Sequence, residues 1–181
     1  MRFHATPLPG AYVIELDELN DDRGFFARAF DADEFESRGL NPRVVQCNLS
    51  YNRRAGTLRG FHYQTEPAAE SKLVRCIRGA VHNVIVDLRE AGPTYLRHTA
   101  VQLSAASRRA LYIPPLVATA MQTLTDDAEL YYQVGEAYTP SAERGLRHDD
   151  PRLGVTWPLP VRDISDKDAA WPLIDEGALS S

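Results

Sequence analysis

Lys72-Leu73-Val74-Arg75-Cys76-Ile77-Arg78-Gly79-Ala80-Val81-His82-Asn83-Val84-Ile85-Val86-Asp87 is the stretch that decides the fold class. It holds two apolar runs rich in Val and Ile, residues that suit a pleated, half-buried surface. Arg78-Gly79 between the two runs reads as a tight hairpin. Working outward, similar runs recur at residues 12–16, 25–30, 43–51, 57–63, 96–103, 110–113, 118–124 and 129–134. Turn-forming segments separate them at 52–56, 91–93, 104–108 and 125–127. Closely spaced short strands predict an all-β sandwich or barrel.

Residues 32–38 are the one helical candidate before the C-terminal region. Asp31 can cap it, Glu34 stands three residues later, and Gly39 can end it. From Pro140 onward, prolines at 151, 158, 160 and 172 break any long element. Short helical turns and extended pieces wrapping the barrel are expected there. No repeat, low-complexity run or linker composition divides the chain, so residues 1–181 are read as one domain.

The chain has 181 residues, 44% hydrophobic and 25% charged, which rules out a disordered or fibrous protein. A formal net charge of -5 argues against nucleic acid as a partner. No run of about 20 apolar residues is present to cross a membrane, and no signal peptide is visible, so a cytoplasmic protein is expected. Cys47 and Cys76 form no CxxC pair.

Two segments carry chemical interest. In Gln46-Cys47-Asn48-Leu49-Ser50 the polar residues share one face. That face either meets water or lines a ligand-holding barrel. Arg59-Gly60-Phe61-His62-Tyr63-Gln64 is the densest polar and aromatic segment. His62 suits a general base, a metal ligand or a satisfied core residue. Spacing argues against metal, because Gln64 stands where a second ligand would be and residues 114–119 hold no histidine. Arg59 and His62 differ by three positions, so regular alternation puts them on opposite faces. A β-bulge at Gly60 would bring both to one pocket.

These segments, taken in order, resemble one family. Asp22-Arg23-Gly24-Phe25-Phe26, Gln46 to Ser50, Leu58 to Gln64, Lys72-Leu73-Val74-Arg75 and Val86-Asp87-Leu88-Arg89 look like the dTDP-4-dehydrorhamnose 3,5-epimerase family. Pro93-Thr94, Tyr112-Ile113-Pro114, Tyr132, Tyr138, Trp157-Pro158 and Ser165-Asp166-Lys167-Asp168 continue the match. The resemblance implies a cupin-type jelly-roll barrel with a few short helices, mostly near the C-terminus. It implies a homodimer exchanging N-terminal strand contacts, a dTDP-linked 4-keto-6-deoxysugar substrate, and no metal or organic cofactor.

By the same resemblance His62 is the base, Asp168 its orienting carboxylate, Tyr132 the opposing acid and Lys72 the stabiliser of an enolate oxygen. Such groups suit inversion next to a ketone, where one proton leaves one face and another returns to the other. Arg23 and Arg59 are implied to hold the diphosphate. Gln46 and Asn48 contact nucleotide or sugar, Tyr138 stacks on thymine, and Glu143 and Lys167 add ligand contacts. The chain departs from the family at Thr119, where a histidine is usual, and at Arg28, where a glutamate is usual. Both are read as substrate contacts that reshape the sugar site. A nucleotide-sugar-binding protein without catalysis is the other reading of these residues.

Overall fold

In the computed structural model, which describes residues 1–174, Gly79 takes a φ of 72° and joins β7 (Lys72–Arg78) to β8 (Ala80–Asp87). The turn is as tight as expected, but it does not close a hairpin. The two strands leave it into different sheets. Both elements are fixed by their own β-branched residues, whereas their partners are chosen by which faces must be buried together.

The six-stranded sheet runs β1 (Arg2–Ala5), β2 (Tyr12–Glu15), β10 (Ala110–Ile113), β7, β12 (Ala128–Val134) and β5 (Gln46–Asn52). The five-stranded sheet runs β13 (Glu143–Gly145), β6 (Leu58–Gln64), β11 (Val117–Thr123), β8 and β9 (His98–Ser104). From β5 onward every connection except β8 to β9 crosses between the sheets. Two facing antiparallel sheets wound in this way form a jelly roll. A separate hairpin pairs β3 (Leu19–Asp21) with β4 (Gly24–Phe26).

Inward-facing residues of both sheets form the main core, including Val74, Cys76, Leu111 and Leu130 opposite Val81, Ile85, Leu103 and Val117. Alternate residues of the same strands point outward and are covered too. Phe35 of α1 (Ala32–Glu36) packs with Ile14, Ala110 and Tyr112 on the outside of the six-stranded sheet. Leu146, Leu153 and Trp157 cover Phe61, Val84 and Ala118 on the outside of the other. Strands buried on both faces explain why β7 and β8 read as nearly continuous apolar runs.

Asp31 caps α1, its carboxylate accepting from the Glu34 N–H at 3.2 Å. The helix ends at Glu36, two residues before the expected end, and Gly39 follows with a φ of 70°. The second helix, α2 (Asp166–Ala169), lies in the C-terminal wrap, where short helical turns are expected. The sequence pattern gives no sign of β1, β3 or β13. Among the described residues no helix is long and apolar enough to cross a membrane.

Candidate active site

A cavity of about 490 Å³ opens between the inner faces of the two sheets. β5 resolves the ambiguity of its amphipathic pattern. Gln46, Asn48 and Ser50 line the cavity, while Leu49 and Tyr51 point outward and are exposed. The polar face is therefore the inner one.

On the opposite wall, β6 is irregular where the sequence suggests. Met121 pairs with Arg59 and Thr119 with His62, so two steps along β11 match three along β6. The extra residue turns both Arg59 and His62 to the cavity. Gly60 takes a φ of 100°, and a Cβ there would meet the Thr119 carbonyl oxygen at 2.5 Å. Only glycine fits.

α2 supplies the partner of His62. The Ser165 hydroxyl accepts from the Asp168 N–H at 3.1 Å and fixes the start of the helix. Asp168 is buried, with Oδ1 2.7 Å from His62 Nε2 and Oδ2 accepting from the Gly60 N–H at 3.0 Å. Burial by itself would raise the Asp168 pKa. The hydrogen bonds from His62 and the Gly60 N–H outweigh it and hold the carboxyl below its usual range. An ionised carboxylate accepts only, so Nε2 carries a proton and Nδ1 keeps its lone pair in the neutral ring. Nδ1 has no hydrogen-bond partner among the described residues.

Tyr132 rises from β12 in the facing sheet into the same cavity. Burial pushes its phenol pKa up, against a smaller opposing pull from Arg59. The hydroxyl therefore keeps its proton at neutral pH. Lys72, at the start of β7, donates to the His62 carbonyl at 3.2 Å and pairs with Glu70 Oε1 at 2.7 Å.

Glu143, Tyr138 and Gln46 frame the cavity mouth. The Tyr138 hydroxyl donates to Glu143 Oε2 at 2.7 Å, and its N–H donates to Gln46 Oε1 at 2.7 Å. Lys167 lies outside the lining and donates to Glu143 Oε1 at 2.5 Å. Burial raises the Glu143 pKa, but the bonds from Lys167 and Tyr138 bring it below its usual value. The Gln64 amide ties loops together, donating to the Ala68 and Ala137 carbonyls and accepting from the Thr139 N–H.

Thr119 lines the cavity beside His62, and its hydroxyl accepts from Asn83 Nδ2 at 3.0 Å. Arg23 and Arg28 are placed otherwise. Neither reaches the cavity of its own chain. Arg23, at the tip of the β3–β4 hairpin, pairs with Asp21 at 2.5 Å, and Arg28 pairs with Asp31 at 2.8 Å beside α1. Both sit on a segment that the sheets do not hold against the cavity.

A family model described as dTDP-4-dehydrorhamnose 3,5-epimerase matches residues 5–176. The chain belongs to the dTDP-4-dehydrorhamnose 3,5-epimerase family. It is similar to the enzyme of that name from Methanothermobacter thermautotrophicus, with 41% identity covering 97% of this chain and 95% of the relative. A dTDP-4-dehydrorhamnose 3,5-epimerase from Bacillus anthracis, solved with TDP and PPi bound, superposes with a TM-score of 0.92 at 35% identity. That alignment covers 96% of this chain and 99% of the other. A 3'-monoepimerase from Streptomyces bikiniensis, solved with dTDP-quinovose, gives a TM-score of 0.86 at 33% identity, over 94% and 86% of the two chains. The jelly roll described above is thus the cupin-type fold of these epimerases, and the chain is an isomerase by family.

Within that epimerase frame, the sequence reading omits Glu70, Asn83 and Asn52. Asn52 is buried and accepts from Arg59 Nε at 2.7 Å. Glu70 had a legible signal: it stands two residues before Lys72, so extended alternation carries it to the same face.

Proposed function

We propose that this protein epimerises C3, C5 or both of a dTDP-linked 4-keto-6-deoxyhexose. The observation that carries the reading is that His62 and Tyr132 enter one cavity from opposite sheets. A sugar between them meets a base on one face and an acid on the other, which inversion requires.

His62 Nδ1 takes the proton from the carbon next to the ketone, and the electron pair passes into an enolate. Asp168 stabilises the imidazolium that results, as carboxylates do in histidine dyads. Lys72 donates to the enolate oxygen, and stabilisation there is realised as charge develops. Tyr132 returns a proton to the other face. Arg59 holds the diphosphate with its guanidinium fork. Gln46 and Asn48 contact nucleotide or sugar, and Tyr138 stacks on thymine at the mouth with Glu143 and Lys167 beside it.

A homodimer and a cytoplasmic location complete the proposal. The β3–β4 hairpin supports the dimer, since it exposes Leu19, Phe25 and Phe26 around Arg23. In a dimer Arg23 and Arg28 would serve the partner's cavity. Arg23→Ala should then weaken dTDP binding although Arg23 lies off its own cavity; unchanged affinity counts against this arrangement.

The test of the reaction is incubation with dTDP-4-keto-6-deoxyglucose in deuterated water. Label at C3 or C5 is expected. Tight binding without label at either carbon would instead mark a binding protein.

A further inference from the structure

Alternation along β5 puts Gln46, Asn48, Ser50 and Asn52 on one face. The first three line the cavity, whereas Asn52 is buried and does not line it. Its Nδ2 donates to the Ala128 carbonyl of the neighbouring strand β12 at 3.3 Å. Its Oδ1 accepts from Arg59 Nε at 2.7 Å. Arg59 belongs to β6 in the facing sheet, so this bond bridges the two sheets.

A guanidinium carries five N–H donors in a rigid plane. Arg59 spends one of them on Asn52. The four on Nη1 and Nη2 have no partner among the described residues, and the side chain is exposed and lines the cavity. Arg23, Arg28 and Arg89 each meet a carboxylate. Arg59 meets an amide instead. An amide is neutral, so it orients the fork without cancelling its charge.

We propose that Asn52 is the positioning residue of the diphosphate site. It aims the Nη1–Nη2 end of Arg59 into the cavity and leaves the full positive charge for the ligand. This rests on the reading of Arg59 as the diphosphate contact given above. Holding Nε removes side-chain freedom before the ligand arrives, so less is lost on binding. Phosphate oxygens accept two parallel N–H bonds from such an end.

The neutrality of the amide is the testable part. Asp in place of Asn52 keeps nearly the same shape and still accepts from Nε. Its charge, however, competes with the diphosphate for the cation and repels the diphosphate itself. Asn52→Ala removes the acceptor and adds no charge. Both variants lose the donor to the Ala128 carbonyl, so that loss cancels when they are compared. A role limited to packing predicts the opposite order, because Ala truncates the side chain and Asp does not.

The test measures affinity for dTDP by calorimetry and for thymidine by NMR titration. Asn52→Ala should weaken dTDP binding by about 2–10-fold, the worth of an ordinary hydrogen bond. Asn52→Asp should weaken it by roughly 10–100-fold, the range for a contact with a charged group. Thymidine has no phosphate and should bind both variants as it binds the unaltered protein. A larger dTDP loss in Asn52→Ala than in Asn52→Asp, or a thymidine loss equal to that for dTDP, overturns the proposal. Arg59→Ala tests the reading beneath it. Full dTDP affinity in Arg59→Ala overturns Arg59 as the diphosphate contact, and this inference with it. A loss in Arg59→Ala with none in Asn52→Asp overturns this inference alone.

Discussion

His62 Nε2 lies 2.7 Å from Asp168 Oδ1, although 106 residues separate them in the chain. The same carboxylate accepts the N–H of Gly60, the bulged residue two positions before His62. One side chain therefore sets both the tautomer of the ring and the backbone that aims it. Asp168 is itself aimed by the Ser165 cap, so a chain of short-range contacts fixes the base.

His62→Ala should remove both epimerisation and deuterium exchange, a loss of about 10²–10⁴-fold or more, the usual worth of a positioned acid–base group. Binding of dTDP should change little. Asp168→Asn should cost less, because the base survives while the charge that stabilises its cation is gone. Exchange rates by NMR, with calorimetry for dTDP, check both. Unchanged exchange in His62→Ala would sink the assignment.

Tyr132→Phe removes only the hydroxyl. His62 can still take a proton, trade it with solvent and return it to the same face. Deuterium should therefore enter without inversion at the carbon that Tyr132 serves. Full inversion in this variant would mean that another group, or water, is the acid.

Asp168 makes stability depend on pH. Its carboxyl pKa is lower folded than unfolded, so the ionised form favours the fold. That contribution is complete above the unfolded value and is lost as pH falls through the folded one. Urea midpoints should drop on acidification through and below the ordinary carboxylate range. Asp168→Asn should show a shallower acid dependence, and identical slopes would contradict the assignment.

Gly60→Ala places a methyl group 2.5 Å from the Thr119 carbonyl oxygen and 2.9 Å from Ala120 Cα, at a φ of 100°. The backbone conformation alone is worth about 1–3 kcal/mol against a non-glycine residue, and the clash adds to it. A lower Tm with slowed exchange is expected, since the bulge aims His62. A Tm within a degree of the unaltered protein would show that β6 relaxes freely.

Thr119→His brings a larger, ionisable ring beside His62 and takes the acceptor from buried Asn83. The unmatched amide should cost about 1–3 kcal/mol of stability. The ratio of label at C3 to C5 should shift toward exchange at both carbons. An unaltered ratio would show that the departure at Thr119 is neutral for the reaction.

Much of this protein is legible in its sequence because the signals are local. β7, β8 and β10 appear with their observed limits, since β-branched runs bounded by turns need no distant partner to be recognised. The bulge at Gly60 follows from counting positions between two residues that the family resemblance sends to one pocket. β1, β3 and β13 stay hidden because their few residues, Arg2–Ala5, Leu19–Asp21 and Glu143–Gly145, are mostly polar and hold no apolar run like that of equally short β10.

What the sequence determined by itself is the longer apolar strands, the α1 cap and the ordered motifs that place the chain in its family. Only the tertiary structure decided which strands share a sheet. Arg78-Gly79 specifies a tight turn, but whether the strands after it pair or part depends on apolar faces elsewhere in the chain. The same limit governs the cavity. Asp168 reaches His62, Glu70 stands beside Lys72, and Arg23 and Arg28 stand away from their own cavity. Each is a relation between surfaces brought together by burial, and burial is settled by the whole chain at once.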